Sequence, residues 1–349
     1  MMPWVLVLTG LLLLLLVTQA VTHLLIKREF GRASYPEQAT TAWTYEDYAD
    51  DYPRERFSFM SGPNRLQGYI YGPENTRGLL VLAHGIGTGH EGYIDEIIWF
   101  VDRGWRVLSY DATGSCTSEG KGTRGLPQSA LDLHAALTTI EADPTLSALP
   151  RVLLGHSWGG YAVTAVLNYD HEVQAVASLS AYSEPMEMMA SQAKTLLGRF
   201  APLVKPFMWL DSVLLFGRSA QLSAYEGVNT SGIPVLIAHG TADELIRYDG
   251  VALINKRDRI HNPLVRYLSL SAHEQNGHNT IFRDASALPA IRRFNAQYEE
   301  LALAHDGEMP PDIREAFIAM IDKPLVNRAN EELMTTIEGF YREALETRN

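Results

Sequence analysis

Hydrophobic positions along the chain fall into three regimes. Residues 3–26 are apolar apart from Thr9, Thr18, Gln19, Thr22 and His23, and carry no formal charge. A helix of that length crosses a hydrocarbon core of roughly 30 Å. Residues 29–55 mix polar and aromatic side chains without a clear period and read as a juxtamembrane linker. Beyond them the periods become those of strands and helices. Phe57 and Phe59 alternate with Arg56 and Ser58, residues 66–71 alternate likewise, and Gly62-Pro63-Asn64 signals the turn between them. An antiparallel pair therefore opens the body. Residues 79–83 form a continuous apolar run instead, as expected of a strand buried on both faces. Short apolar runs recur at 107–110, 152–154, 173–179, 234–238 and 264–270. Ile94, Ile97, Ile98 and Val101, then Leu133, Ala136, Leu137 and Ile140, keep helical spacing between the runs. This alternation predicts an α/β protein whose sheet is mostly parallel, eight-stranded and covered by helices on both faces.

Charge refines the picture at the N-terminus. No Lys or Arg precedes the 3–26 run, whereas Lys27, Arg28 and Arg32 follow it. The positive-inside bias then puts the body on the cytoplasmic side of an uncleaved N-terminal transmembrane helix. A cleaved signal peptide, cut after Thr18-Gln19-Ala20, fits less well, because a basic n-region is missing and the apolar run continues past the cut. The formal net charge of −12 gives no electrostatic support to nucleic-acid or anionic-surface binding. The single cysteine, Cys116, excludes an intrachain disulfide and a cysteine-rich metal site. No H-E-x-x-H pattern occurs and nothing calls for a cofactor or metal; oligomeric state is open.

Candidate chemistry centres on Gly155-His156-Ser157-Trp158-Gly159, a G-x-S-x-G pattern between the apolar run 151–154 and the helical stretch 161–167. A sharp strand-to-helix turn there lifts the Ser157 hydroxyl clear of the sheet, with glycines two positions away on each side letting neighbouring backbone pass closely. The loop His84-Gly85-Ile86-Gly87 follows the third strand. Its Ile86 N–H, with the Trp158 N–H, makes the natural donor pair for an oxyanion. Gly87 to Gly92 also matches G-x-G-x-x-G, with Asp111 about 20 residues on, as in dinucleotide sites. Residues 84–86 separate it from the strand, however, and that strand is not the first in the sheet. Asp111 and Glu119 belong to a Gly- and Ser-rich loop at the end of the fourth strand, placed to fix loop geometry, with Cys116 as a small filler beside them. Asp243 follows the seventh strand, where a loop carboxylate can orient an imidazole, with Glu244 its rival. His278 follows the eighth strand and is the better-placed base, though spacing leaves His273 open.

Taken with HGIGTGHEGY at 84–93, DATGSCTSEG at 111–120 and GHSWGG at 155–160, the order Ser157, Asp243, His278 resembles the α/β-hydrolases of the monoacylglycerol-lipase and serine-aminopeptidase type. Cys116 stands where that group has a glycine. The resemblance covers about residues 56–283. It implies Ser157 as nucleophile, Asp243 and His278 as the rest of a triad, and Ile86 and Trp158 as oxyanion donors. It also implies a small helical cap at 182–232 inside a core of 56–283, an added helical piece at 284–332, and a final core helix at 333–349. The cap is rich in large apolar residues, among them Met188, Met189, Phe200, Met208 and Trp209. They can line an adaptable acyl pocket or be the inner faces of short helices. The expected activity is cleavage of a lipophilic or monoacylglycerol-like ester by a serine hydrolase anchored through residues 1–28 and linked through 29–55. A peptidase, thioesterase, acyltransferase or non-catalytic binding module remains open, and the partners expected are a small-molecule or lipid ester and the membrane.

Overall fold

The computed structural model describes residues 3–35, 40–307 and 309–347. Eight strands form one sheet: β1 (Arg54–Ser61), β2 (Asn64–Tyr71), β3 (Leu79–Ala83), β4 (Arg106–Tyr110), β5 (Arg151–His156), β6 (Ala175–Leu179), β7 (Val235–Gly240) and β8 (Val265–Leu270). They lie in the order β1-β2-β4-β3-β5-β6-β7-β8. Only the β1–β2 and β2–β4 pairings are antiparallel; the others are parallel. The alternating strands are thus the antiparallel ones at one edge. The strands 79–83 and 151–156 lie side by side in the centre, buried on both faces.

Side chains alternate between two cores because successive residues of a strand point to opposite faces. Leu79, Val81 and Leu153 join the core on one face, while Leu80, Leu82 and Leu154 join the other. Helix α1 (Pro3–Glu29) precedes the sheet, and α2 (Ile94–Val101) leads from β3 to β4. Helices α3 (Gln128–Ala142), α4 (Pro144–Ser147) and α5 (Trp158–Ala165) follow in the first half of the parallel region. The first core takes Leu133 and Leu137 of α3 and Tyr161 of α5; the second takes Ile97 and Phe100 of α2. Between β6 and β7 come α6 (Pro185–Leu197), α7 (Ala201–Phe216) and α8 (Ala224–Ser231), and after β8 come α9 (Leu288–Ala304), α10 (Pro311–Ala319), α11 (Lys323–Val326) and α12 (Glu331–Glu346). The last of these buries Ile337, Phe340 and Tyr341 in the second core, and Tyr341 Oη donates to Leu153 O of β5 at 2.7 Å.

The segment read as a linker is built into the body. Phe30 is buried in the first core, Ala33 N–H donates to Gly114 O at 3.0 Å, and Arg32 donates to Gly120 O at 2.8 Å. Trp43, Tyr45, Tyr48 and Tyr52 pack against the second core. Its aromatics have no period because they cover several surfaces of an irregular path. Residues 323–327 meet it from the far end of the sequence: Lys323 Nζ reaches Asp47 Oδ2 at 2.9 Å, and Asn327 Nδ2 donates to Thr41 O at 2.6 Å.

Candidate active site

The turn between β5 and α5 carries Ser157 at φ 56° and ψ −114°, a backbone conformation that a residue with a Cβ rarely adopts. The surroundings hold it there: Ser157 N–H donates to Leu179 O at 2.8 Å and Tyr161 N–H donates to Ser157 O at 3.0 Å. The glycines are needed for packing. A Cβ on Gly159 would overlap the carbonyl of Ala83, and one on Gly155 would overlap the carbonyl of Gly159. Helix α5 can therefore sit directly against β3 and β5 only without those side chains. Ser157 Oγ makes no cap hydrogen bond to its helix, so the hydroxyl is not tied down by a structural role. Backbone strain of this kind at a residue with a reactive side chain is a feature of functional sites.

Asp243 and His278 arrive from the loops after β7 and β8. His278 Nδ1 lies 2.8 Å from Asp243 Oδ2, with both side chains buried. Asp243 Oδ1 accepts the N–H groups of Leu245 at 3.0 Å and Ile246 at 2.7 Å. Burial alone would raise the Asp243 carboxyl. Contacts from His239 and His278 and the Ile246 N–H outweigh that and hold it well below the ordinary carboxylate range. His239 Nε2 lies 3.1 Å from Asp243 Oδ2 and 2.8 Å from Ile246 O, so it braces the same loop. Glu244 faces the backbone, its Oε2 accepting His278 N–H at 3.0 Å, and His273 is exposed. Of the two pairs of rivals, then, the structure brings together Asp243 and the His278 ring.

Ile86 is 41% exposed in the loop after β3, while Trp158 is buried as the first residue of α5. A helix's first N–H groups lack intrahelical partners, which leaves Trp158 N–H free to donate. Its indole Nε1 donates to Leu126 O at 2.8 Å, and Ser129 Oγ donates to Trp158 O at 3.1 Å, so the residue is fixed at both ends.

A hydrogen-bonded chain behind the turn joins the two loops that flank Ser157. Gly85 N–H donates to Tyr93 Oη at 3.0 Å, Tyr93 Oη lies 2.7 Å from His156 Nδ1, and His156 Nε2 lies 3.0 Å from His278 O. A carbonyl only accepts, so Nε2 carries the imidazole proton and Nδ1 accepts from Tyr93. Burial, with the neighbouring His278, lowers the His156 pKa to about 3, which keeps the ring neutral as this tautomer requires. Sequence reasoning gave Tyr93 no role. The only signal for it was its position at the end of the 84–93 stretch.

Asp111 does fix loop geometry. Its Oδ1 accepts from His90 N–H at 2.9 Å and Tyr35 Oη at 3.0 Å, and its Oδ2 accepts from Thr117 N–H at 3.0 Å. Glu119 Oε2 accepts Arg65 N–H at 2.8 Å. With its lone pairs so engaged, Asp111 has no place for a ribose. Among the described residues no group of three or more His, Cys, Asp or Glu side chains could hold a metal ion.

The strand order, with β2 antiparallel at one side and the strained serine turn after the fifth strand, has a match among known proteins. Residues 74–227 match the family described as serine aminopeptidase, S33. The chain has the α/β-hydrolase fold. An esterase of Pyrococcus furiosus superposes with a TM-score of 0.52 at 17% identity, covering 83% of this chain and 98% of that one. The protein Est1E of Butyrivibrio proteoclasticus, with ferulic acid bound, superposes with a TM-score of 0.50 at 17% identity, over 69% of this chain and 98% of that one. No curated protein sequence matches the chain. At such identities the superpositions establish the hydrolase fold alone.

One buried acid near this candidate site has its carboxyl pushed up by burial. Glu96, on α2, lines a small void with Tyr93, His156 and Phe282. Burial raises its carboxyl to about 7, against the pull of Arg283, whose Nη1 lies 3.7 Å from Glu96 Oε1 and 3.9 Å from Asp95 Oδ2. The fold thus favours protonated Glu96. Its contribution is fully present below the unfolded pKa of about 4.3 and is lost as pH rises through the folded value near 7. Glu96→Gln is expected to remove that loss, recovering on the order of 3 kcal/mol at pH 8 and nothing at pH 4. Thermal melts of both proteins across this range check it; parallel curves would contradict it.

Proposed function

We propose that this protein is a membrane-anchored serine hydrolase that cleaves lipophilic carboxylic esters through an acyl-enzyme on Ser157. The observation that carries the proposal is the Asp243–His278 hydrogen bond at 2.8 Å, supplied by the loops that end the two strands beyond the strained Ser157 turn. In this reading His278 Nε2 takes the Ser157 proton as Oγ attacks the ester carbonyl. Asp243 holds Nδ1–H and stabilises the imidazolium that forms. The Ile86 and Trp158 N–H groups donate to the tetrahedral oxyanion. Collapse expels the alcohol, which takes its proton from His278, and water activated by the same histidine releases the acid.

The ester class is supported by the apolar cap and the long apolar α1, and the superposable Pyrococcus furiosus protein is itself named an esterase. An aminopeptidase would need a free acidic group to receive the substrate amine. In α6 the candidate, Glu187, is instead bound to Lys256 Nζ at 2.6 Å. The basic residues in the last turn of α1, Lys27 and Arg28, support a body on the cytoplasmic side.

Labelling with a fluorophosphonate probe tests the reading. The detergent-solubilised protein is expected to react stoichiometrically at Ser157, and His278→Ala to slow labelling by at least ~100-fold. A folded protein that resists the probe, or that labels at another residue, would overturn it.

A further inference from the structure

Helix α1 is not a free tether. Gln19, Thr22, Ile26 and Phe30 recur every three or four residues and form its covered face, whereas residues 4–17 are largely bare. The partner on that side is α7. His23 Nδ1 lies 2.7 Å from Asp211 Oδ1, and Asp211 and Ser212 are buried. The apolar run of α1 ends at residue 26, and a span needs about 20 such residues to cross. The part of α1 that meets α7 is therefore the last part of the run. Whatever depth α1 occupies, α7 lies beside its membrane boundary.

The cap carries the side chains for that position. Leu196, Phe200, Leu203, Trp209 and Leu214 are 82%, 55%, 68%, 46% and 72% exposed. Polar residues between them are basic: Lys194, Arg199, Lys205 and Arg218 are exposed, and Asp211, covered by α1, is the one acid in residues 191–222. A protein with a net charge of −12 has thus gathered basic and apolar side chains on one surface. The whole-chain charge, which argued against an anionic surface, conceals this reversal. Apolar side chains with a Lys/Arg rim, the one acid of α6 (Glu187) being paired with Lys256, are the pattern of a helix lying in a headgroup layer.

We infer that α6 and α7 form a second membrane-contacting element, docked to α1 through the His23–Asp211 seam and lying in the headgroup region of a bilayer containing anionic lipid. This rests on α1 being a membrane span. The C-terminal end of α7 adjoins the candidate site: Arg124 Nη2 donates to Leu215 O at 3.3 Å, and nearby Leu126 O accepts the Trp158 indole.

The full chain, carrying Cys116→Ser and reconstituted into phosphatidylcholine–phosphatidylserine vesicles, provides the test. An environment-sensitive fluorophore is attached in turn at Leu14→Cys in α1, Leu203→Cys and Leu214→Cys in α7, and Arg342→Cys on α12 across the sheet. Quenching by doxyl-labelled lipid is expected at Leu14, Leu203 and Leu214, at least about twofold stronger than at Arg342. Quenching at Leu14 with the α7 positions matching Arg342 would overturn the inference while leaving α1 as the anchor. Quenching at none of these positions would overturn both.

Discussion

Ser157→Ala is expected to lower kcat/KM on a short-chain aryl ester by at least ~10⁴-fold while leaving thermal stability within about 0.5 kcal/mol of the parent. The two halves of this expectation have separate causes. Loss of Oγ removes the atom that would carry the acyl group, and no other group at the turn replaces it. Stability is spared because Ser157 Oγ makes no cap hydrogen bond and the φ of 56° strains alanine as it strains serine. Asp243→Asn should be nearly as inactive, by about 10²–10⁴-fold, because the amide cannot stabilise an imidazolium. Parallel esterase assays and thermal melts check both; retention of even a tenth of the activity in Ser157→Ala would remove Ser157 from the mechanism.

The second large effect is on folding. Gly159→Ala is expected to cost several kcal/mol, on the order of 3 or more, because the new methyl group would meet main-chain oxygens of Ala83 and His84. A flexible side chain could move aside. Here β3 itself would have to part from α5, in the most buried layer of the molecule. Gly339→Ala provides the contrast: it lies within α12, and a Cβ there meets nothing within 4 Å. That change should stabilise by roughly 0.5–1 kcal/mol through helix propensity. Urea unfolding of the two variants beside the parent separates the cases, and similar midpoints would refute the packing argument.

Much of the architecture was legible in the sequence because its signals are local. The run 79–83 was read at its observed bounds, since a strand buried on both faces has no polar positions to blur its ends. The run 152–154 came out too short at both ends, because Arg151, Gly155 and His156 do not read as strand residues although all are buried. The edge pair was short at the start of each strand, where the charged Arg54 and polar Asn64 continue the ladder opposite Tyr71 and Ser61. Ser157 declared itself through flanking glycines and its place between strand and helix. Asp243 against Glu244 could be decided only in three dimensions, because adjacent residues differ in direction and not in spacing. The roles of Tyr35 and Tyr93 were invisible for the same reason, each bonding to residues 55 to 76 positions away.

The path of residues 30–35 also decides where the body could be separated from its helix. Gly31 and Ala33 pair with the loop that ends at Gly122, and Tyr35 supplies one of the donors that keep the buried Asp111 carboxylate satisfied. A chain begun at β1 would lack these and leave a buried anion short of a donor. A soluble form of the protein should therefore begin upstream of Phe30, and a protease that severs the chain after Tyr35 would release a damaged body rather than a free one.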